Sequence, residues 1–146
     1  MSKIDVHRLR HGRQISLDWI HHIGEIVILG ENRKTKGILS IIIVDNENIR
    51  DLNSRFLKRD EPTDVIAFPL GDAENDVWGE VYISEDQAAM QASLYGICFE
   101  EELARLVIHG ILHLLDYDDK EECQRKRMKA REDYYLARVM QEENTK

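Results

Sequence analysis

The sequence predicts an α+β fold, in which helices pack on a small mixed β-sheet of about four strands. The run 37–44 (GILSIIIV) is apolar and β-branched almost throughout, which is typical of a central strand covered on both faces. Segments 65–68 and 78–83 are strand-like and close in sequence, which favours an antiparallel pair. Segment 99–115 carries apolar residues at i, i+3 and i+4 spacing, which predicts a core helix.

The composition is that of a folded globular chain, and 146 residues predict one domain spanning 1–146. The longest apolar run, 38–44, is far shorter than the ~20 residues of a membrane-spanning helix, and no signal peptide is predicted. We therefore expect a cytoplasmic protein without membrane contact. Two cysteines, Cys98 and Cys123, fit free thiols. A net charge of -8 argues against indiscriminate nucleic-acid binding but leaves room for a local basic groove.

Local signals divide the first half of the chain into elements. Segment 3–9 predicts a short edge strand. Ser16 is placed to cap a helix, which the glycine and polar residues of 30–36 bring to an end. Asp45 or Asn46 caps the helix after the central strand. The inward stripe of that helix is predicted to consist of Ile49, Leu52 and Phe56.

The second half shows equally local signals. Residues 62–64 (PTD) mark a turn, because proline fixes its own φ and lacks a backbone donor. Ser84, with Gln87 three positions later, predicts a capping box and a helix that Gly96 closes. The charged segment 121–142 predicts an amphipathic terminal helix.

Two histidines, His109 and His113, lie one turn apart in the predicted core helix. Residues at i and i+4 share one helix face, so both rings can reach one ion. Asp119 lies ten positions after the first histidine, where long zincin motifs carry their third ligand. Two imidazoles and a carboxylate leave a position open for water, as in catalytic zinc sites. The core helix is therefore predicted to carry a metal site, with Asp118 and Asp116 as competing third ligands.

The histidine pair also has a simpler interpretation, since a histidine in an apolar helix is often a packed core residue. The metal interpretation itself does not favour a protease. Zincin proteases place their general-base glutamate directly after the first histidine, and this chain has Gly110 there.

Segment 109–119 (HGILHLLDYDD) resembles the signature H-G-x-L-H-L-x-G-Y-D-H of the YbeY family of endoribonucleases and ribosomal RNA maturation factors. Segments 52–69 and 79–83 resemble two further motifs of that family, in the same order. The resemblance implies a metal-dependent, single-strand-specific endoribonuclease that acts in late-stage maturation of the 3' end of small-subunit ribosomal RNA. It also implies one Zn²⁺ as cofactor, or nickel or another divalent metal, and the small ribosomal subunit as partner.

Two other functions are compatible with the same residues. One is a metallohydrolase of other substrates, and the other is a non-catalytic, metal-stabilised ribosome-assembly factor. The chain departs from the family pattern at three positions. Asp119 replaces the third ligand histidine, Asp116 replaces a glycine of the turn, and Leu57 replaces the functional arginine. Aspartate tolerates the left-handed conformation better than most residues, so the turn can survive.

Site roles other than metal ligation follow from the resemblance. With Leu57 in place of the arginine, the catalytic cation is expected to be Arg59, which aligns with the family's lysine, or Arg55. Arg50 and Lys58 are expected to bind RNA phosphates. For each of these side chains the alternative is a solvated charge at a helix end. The carboxylates expected to hydrogen-bond the ligating histidines are Glu80, Asp64 and Asp118.

Overall fold

The computed structural model describes residues 3–9, 12–33, 37–71 and 76–144. Four strands and five helices are assigned within these ranges. They are β1 Lys3–Arg8, α1 Leu17–Glu31, β2 Ile38–Val44, α2 Asn46–Leu57, β3 Val65–Pro69, β4 Val77–Ser84, α3 Glu85–Tyr95, α4 Phe99–Leu114 and α5 Glu122–Asn144.

The strands form one sheet in the order β1-β2-β4-β3. β1, β2 and β4 run parallel, and β3 pairs with β4 in the antiparallel sense. The predicted mixed sheet, its central strand and its edge strand at the N-terminal end are thereby confirmed. Part of the predicted end of the first helix, residues 34–36, lies outside the described residues.

Alternation along β2 gives the sheet two different buried faces. Ile41 and Ile43 face the larger core, which α1, α4 and α5 complete. Ile42 and Val44 face a smaller cluster closed by Ile49 of α2. The sheet therefore has helices on both sides. No helix in the described ranges has both the length and the apolar composition needed to cross a membrane.

Side-chain caps begin three of the helices where the sequence predicts them. Ser16 Oγ accepts from the backbone N–H of Trp19, and Ser84 Oγ accepts from that of Gln87. Asp45 caps α2, because its side chain accepts from Asn48 N at 2.8 Å. These bonds satisfy N–H groups that have no partner within the helix. Gly96 closes α3 in the left-handed conformation.

The predicted inward stripe of α2 is wrong at one residue. Ile49 is buried and Leu52 packs against the smaller cluster, but Phe56 is 62% exposed. Its ring lies edge-on to Phe68, with 5.5 Å between centroids. Phe56 lies in the last turn of α2, and Phe68 belongs to the edge strand β3, so little sheet surface remains to cover the ring.

The terminal helix α5 is amphipathic, as predicted. Its buried residues recur at spacings of three and four, which places them on one face. That stripe consists of Met128, Glu132, Tyr135 and Val139. A carboxylate in an otherwise apolar stripe requires a partner, because a buried charge is costly unless it is paired.

Candidate metal and active site

The two histidines lie on α4, which packs its apolar face on the sheet. Leu106, Val107 and Ile111 are buried in the larger core. His109 is partly buried and His113 is exposed. The i, i+4 spacing therefore puts both imidazoles on one face of the helix, at the border between core and solvent.

Gly110 allows α4 to approach the sheet closely. A Cβ at this position would lie 2.5 Å from Val81 Cγ1 and 3.1 Å from Val65 Cγ2. Val81 is fully buried in β4, so it has no room to move aside. The glycine next to His109 is thus a packing requirement, and the same contact leaves no space for the glutamate that a zincin protease needs there.

Gly110→Ala should destabilise the protein by about 1–3 kcal/mol through overpacking, despite the better helix propensity of alanine. Urea unfolding measures this loss. A double-mutant cycle with Val81→Ala should recover part of it, because the shorter side chain frees the space that the new methyl group needs. Additive losses in that cycle would show that the contact with Val81 is not the cause.

The ring of His109 forms a hydrogen bond with the carboxylate of Glu132, which was not predicted from the sequence. His109 Nδ1 lies 2.8 Å from Glu132 Oε2 of α5. An ionised carboxylate only accepts hydrogen bonds, so the proton of the neutral ring is on Nδ1 and the lone pair is on Nε2. Burial lowers the pKa of His109, but the hydrogen bond and charge of Glu132 outweigh it and raise that pKa above its ordinary value. The sequence signal for Glu132 is its position in the apolar stripe of α5, because a carboxylate there needs a partner.

The three predicted carboxylate partners are placed differently from one another. Asp64 directly precedes Val65, which packs against Gly110, and its negative charge contributes to raising the pKa of His109. Its Oδ1 accepts from the backbone N–H of Val65. Glu80 lies on β4 and interacts with Tyr82. Asp118 Oδ1 accepts from the backbone N–H groups of the next two residues, which stabilises the loop after α4.

The chain turns sharply after α4, as the sequence predicts. Asp116 adopts the left-handed conformation, with φ at 74°. The backbone N–H of Tyr117 donates to Leu112 O at 3.1 Å. Asp119 follows in an exposed position. The aspartate at 116 thus performs the conformational role that a glycine has in the family pattern.

Zinc suits the donor types of this site. Imidazole nitrogens are donors that zinc accepts, and a carboxylate on Nδ1 is the usual partner of a ligating histidine. The complete three-ligand set is not assembled: no three His, Cys, Asp or Glu side chains of the described ranges form a group able to hold an ion. The structure therefore brings His109 and His113 together, and Asp119 as third ligand stays a prediction.

Two of the predicted RNA-contacting cations are engaged in ion pairs. Arg50 Nε lies 2.9 Å from Asp60 Oδ1, and Arg55 Nε lies 3.3 Å from Asp51 Oδ1. All four side chains are exposed, and solvent screens such surface pairs so that they contribute little to stability. A phosphate can therefore compete for either arginine at little cost.

The remaining two predicted cations, Lys58 and Arg59, directly follow α2. Lys58 adopts the left-handed conformation, with φ at 57°, and caps the helix. The backbone N–H of Arg59 donates to Asn53 O, and the residue is exposed. Both cations therefore follow Phe56 closely in sequence, at the exposed end of α2.

A family sequence model, named relatives and a solved structure all match this chain. The sequence model of the family described as endoribonuclease YbeY matches residues 7–140. A protein of that name from Syntrophotalea carbinolica is 34% identical over 149 aligned residues, covering 97% of this chain and 99% of the relative. Another, from Aquifex aeolicus, is 39% identical and covers 87% and 86%.

A solution structure of a Thermotoga maritima protein superposes with a TM-score of 0.69. It is 31% identical, and the match covers 97% of this chain and 92% of that one. Sequence and fold therefore agree over most of the chain. The chain belongs to the endoribonuclease YbeY family.

Proposed function

We propose that this protein is a metal-dependent, single-strand-specific endoribonuclease. Its proposed role is late-stage maturation of the 3' end of small-subunit ribosomal RNA, and thus ribosome biogenesis. The observation that carries the proposal is the hydrogen bond of His109 to the buried Glu132, on a helix that lies within the family match. The family name supports RNA-cleaving hydrolase chemistry. The arrangement of the histidines supports the metal.

The proposed cofactor is one Zn²⁺, with nickel or another divalent metal as the alternative, held by His109, His113 and Asp119. Zinc would supply a water of lowered pKa and a Lewis acid for a phosphoryl oxygen. The chain itself supplies the orientation of the ligands. Glu132 keeps the proton of His109 on Nδ1, so that Nε2 is the nitrogen free to coordinate.

Arg59, or Arg55 in its place, is the proposed catalytic cation. Cleavage of a phosphodiester builds negative charge on the phosphoryl oxygens, and a cation placed there lowers the barrier. Arg50 and Lys58 are proposed to bind flanking phosphates, which gives a protein of net charge -8 a local site for RNA. The exposed ring of Phe56 offers a stacking surface for an unpaired base.

Kinetics of single variants should separate these roles. Arg59→Ala should lower kcat by about 100-fold, because it removes charge stabilisation in the transition state. Arg50→Ala should mainly raise KM. It should also reduce the slope of log binding constant against log salt concentration by about one, as expected for the loss of one phosphate contact. The matched control is Lys129→Ala, an exposed cation on α5 that pairs with Asp133. Equal rates for Arg59→Ala and this control would contradict the assignment of Arg59.

The ribosomal role is tested on a ribosomal substrate. Purified protein is incubated with small ribosomal subunits that carry unprocessed 3' RNA ends, and the ends are mapped. We expect shortening to the mature end, and none with a cleavage-deficient variant. Normal maturation by a folded but cleavage-deficient variant would contradict the proposal and would favour a non-catalytic assembly role.

A further inference from the structure

A series of hydrogen-bonded, charged side chains leads from His109 towards the interior of the protein. Glu132 contacts His109 through Oε2, and its other oxygen accepts from Arg105 Nη1 at 3.1 Å. Arg105 also donates from Nε and Nη2 to the two oxygens of Glu102, at 2.8 and 2.6 Å. Gln91 of α3 donates to Glu102 as well. The chain of contacts thus joins α3, α4 and α5 to one imidazole.

Because these groups are buried, each carboxylate needs a well-placed hydrogen-bond partner. The side chain of Glu102 is 0% exposed and that of Glu132 is 6% exposed, whereas Arg105 is 26% exposed. Two carboxylates so deeply buried are costly unless a cation is bonded to both. The planar guanidinium of Arg105 has enough donors to do this, with a two-pronged contact to Glu102 and a third bond to Glu132.

We propose that Arg105, held by Glu102, is a positioning residue that fixes Glu132 so that His109 keeps its proton on Nδ1 and its lone pair on Nε2. The inference rests on the proposed function where it concerns metal binding. A carboxylate on a separate helix can rotate away from the ring unless its second oxygen is held. Arg105 holds that oxygen, and Glu102 in turn holds Arg105.

The alternative is an ion network that only stabilises the packing of α4 and α5. Glu31 provides a matched control for this. Its side chain is 7% exposed, and it anchors α5 through Arg131 and Tyr135. Within the described part of the chain, Glu31 takes part in none of the contacts that reach His109. Its loss should weaken the attachment of α5 without changing the proton position on His109.

The test compares wild type, Arg105→Lys, Glu102→Gln and the control Glu31→Gln. The readouts are the ¹⁵N chemical shifts of the His109 ring in metal-free protein, and Zn²⁺ affinity from competition with a chelator dye. A lysine keeps the charge but lacks the planar guanidinium, so it cannot reproduce the paired bonds to Glu102 together with the bond to Glu132. We expect Arg105→Lys to shift the neutral ring away from the Nδ1–H tautomer and to weaken Zn²⁺ binding by about 10- to 100-fold. Glu102→Gln should shift the same signals in the same direction, and Glu31→Gln should leave the tautomer unchanged.

A folded Arg105→Lys variant with wild-type ring shifts and Zn²⁺ affinity would overturn the proposal. If that variant fails to fold, the double variant Glu102→Gln/Arg105→Gln, which leaves no unpaired charge between these two, decides by the same ring shifts. Wild-type protein that binds no Zn²⁺ would refute the proposed metal, while the tautomer comparison would still decide the role of Arg105. The two proposals therefore fail separately.

Discussion

His113→Ala should abolish RNA cleavage and leave the protein folded. His113 is exposed on α4, so its removal costs little core packing, but it takes away one of the two imidazoles on the helix face that is proposed to bind the metal. Loss of a hydrogen-bond partner of a ligand typically costs about 10- to 100-fold in activity or metal affinity, so loss of a ligand should cost more than about 100-fold. Cleavage rates on a single-stranded RNA, with zinc content per chain, measure the effect.

The matched control for this variant is His21→Ala. His21 is also an exposed helical histidine, and it pairs with Glu25 on α1. It should keep the wild-type rate and zinc content. A folded His113→Ala variant that cleaves RNA as fast as His21→Ala would refute the catalytic role of the histidine pair.

Glu31→Ala should cause a large loss of stability. The carboxylate accepts from Tyr135 Oη at 2.5 Å, from Tyr117 Oη at 2.7 Å and from Arg131 Nη2 at 2.8 Å. These bonds tie α1 to α5 and to the turn after α4. Removing the acceptor leaves a cation and two hydroxyls without their partner, which should cost about 3 kcal/mol. Urea unfolding of both proteins measures the difference.

Glu25→Ala is the control on the same helix. Glu25 is exposed and pairs with His21 at i, i+4, so its loss should change the free energy of unfolding by less than about 0.5 kcal/mol. Equal losses for the two variants would show that the buried contacts of Glu31 contribute nothing beyond a surface pair.

The contribution of Glu31 should also depend on pH. Burial raises the pKa of its carboxyl, but the hydrogen bonds from Tyr135, Tyr117 and Arg131 outweigh burial and leave the pKa below its ordinary value. A carboxyl with a depressed pKa stabilises the folded state above its unfolded value of about 4.3, and this stabilisation is lost as pH falls through the folded pKa. The stability difference between wild type and Glu31→Gln should therefore shrink below about pH 4. A stability difference between wild type and Glu31→Gln that does not change with pH would contradict the lowered pKa of Glu31.

Features set by neighbouring residues could be predicted from the sequence. Ser16, Ser84 and Gly96 bound their helices through contacts three to five residues away, and these predictions are confirmed. The left-handed Asp116 is also a local property. Phe56 was predicted wrongly because periodicity shows which face of a helix is apolar, but burial requires another element to cover it.

Partners distant in sequence were harder to predict. Glu132 lies 23 residues after His109 and on another helix, so no spacing rule connects them. The same holds for the pairing of Arg50 with Asp60, which depends on how the loop after α2 folds back. His109 and His113 could be predicted as a pair because one helical turn joins them. The place of Asp119 depends on the path of a loop.

Cleavage of a single-stranded RNA by purified protein, before and after chelation and re-addition of Zn²⁺, tests the proposed activity most directly. We predict that cleavage stops on chelation and returns with Zn²⁺ in the wild type, and that Zn²⁺ does not restore it in His113→Ala. Cleavage at an undiminished rate by the fully chelated wild-type protein would contradict a metal-dependent endoribonuclease built on His109 and His113.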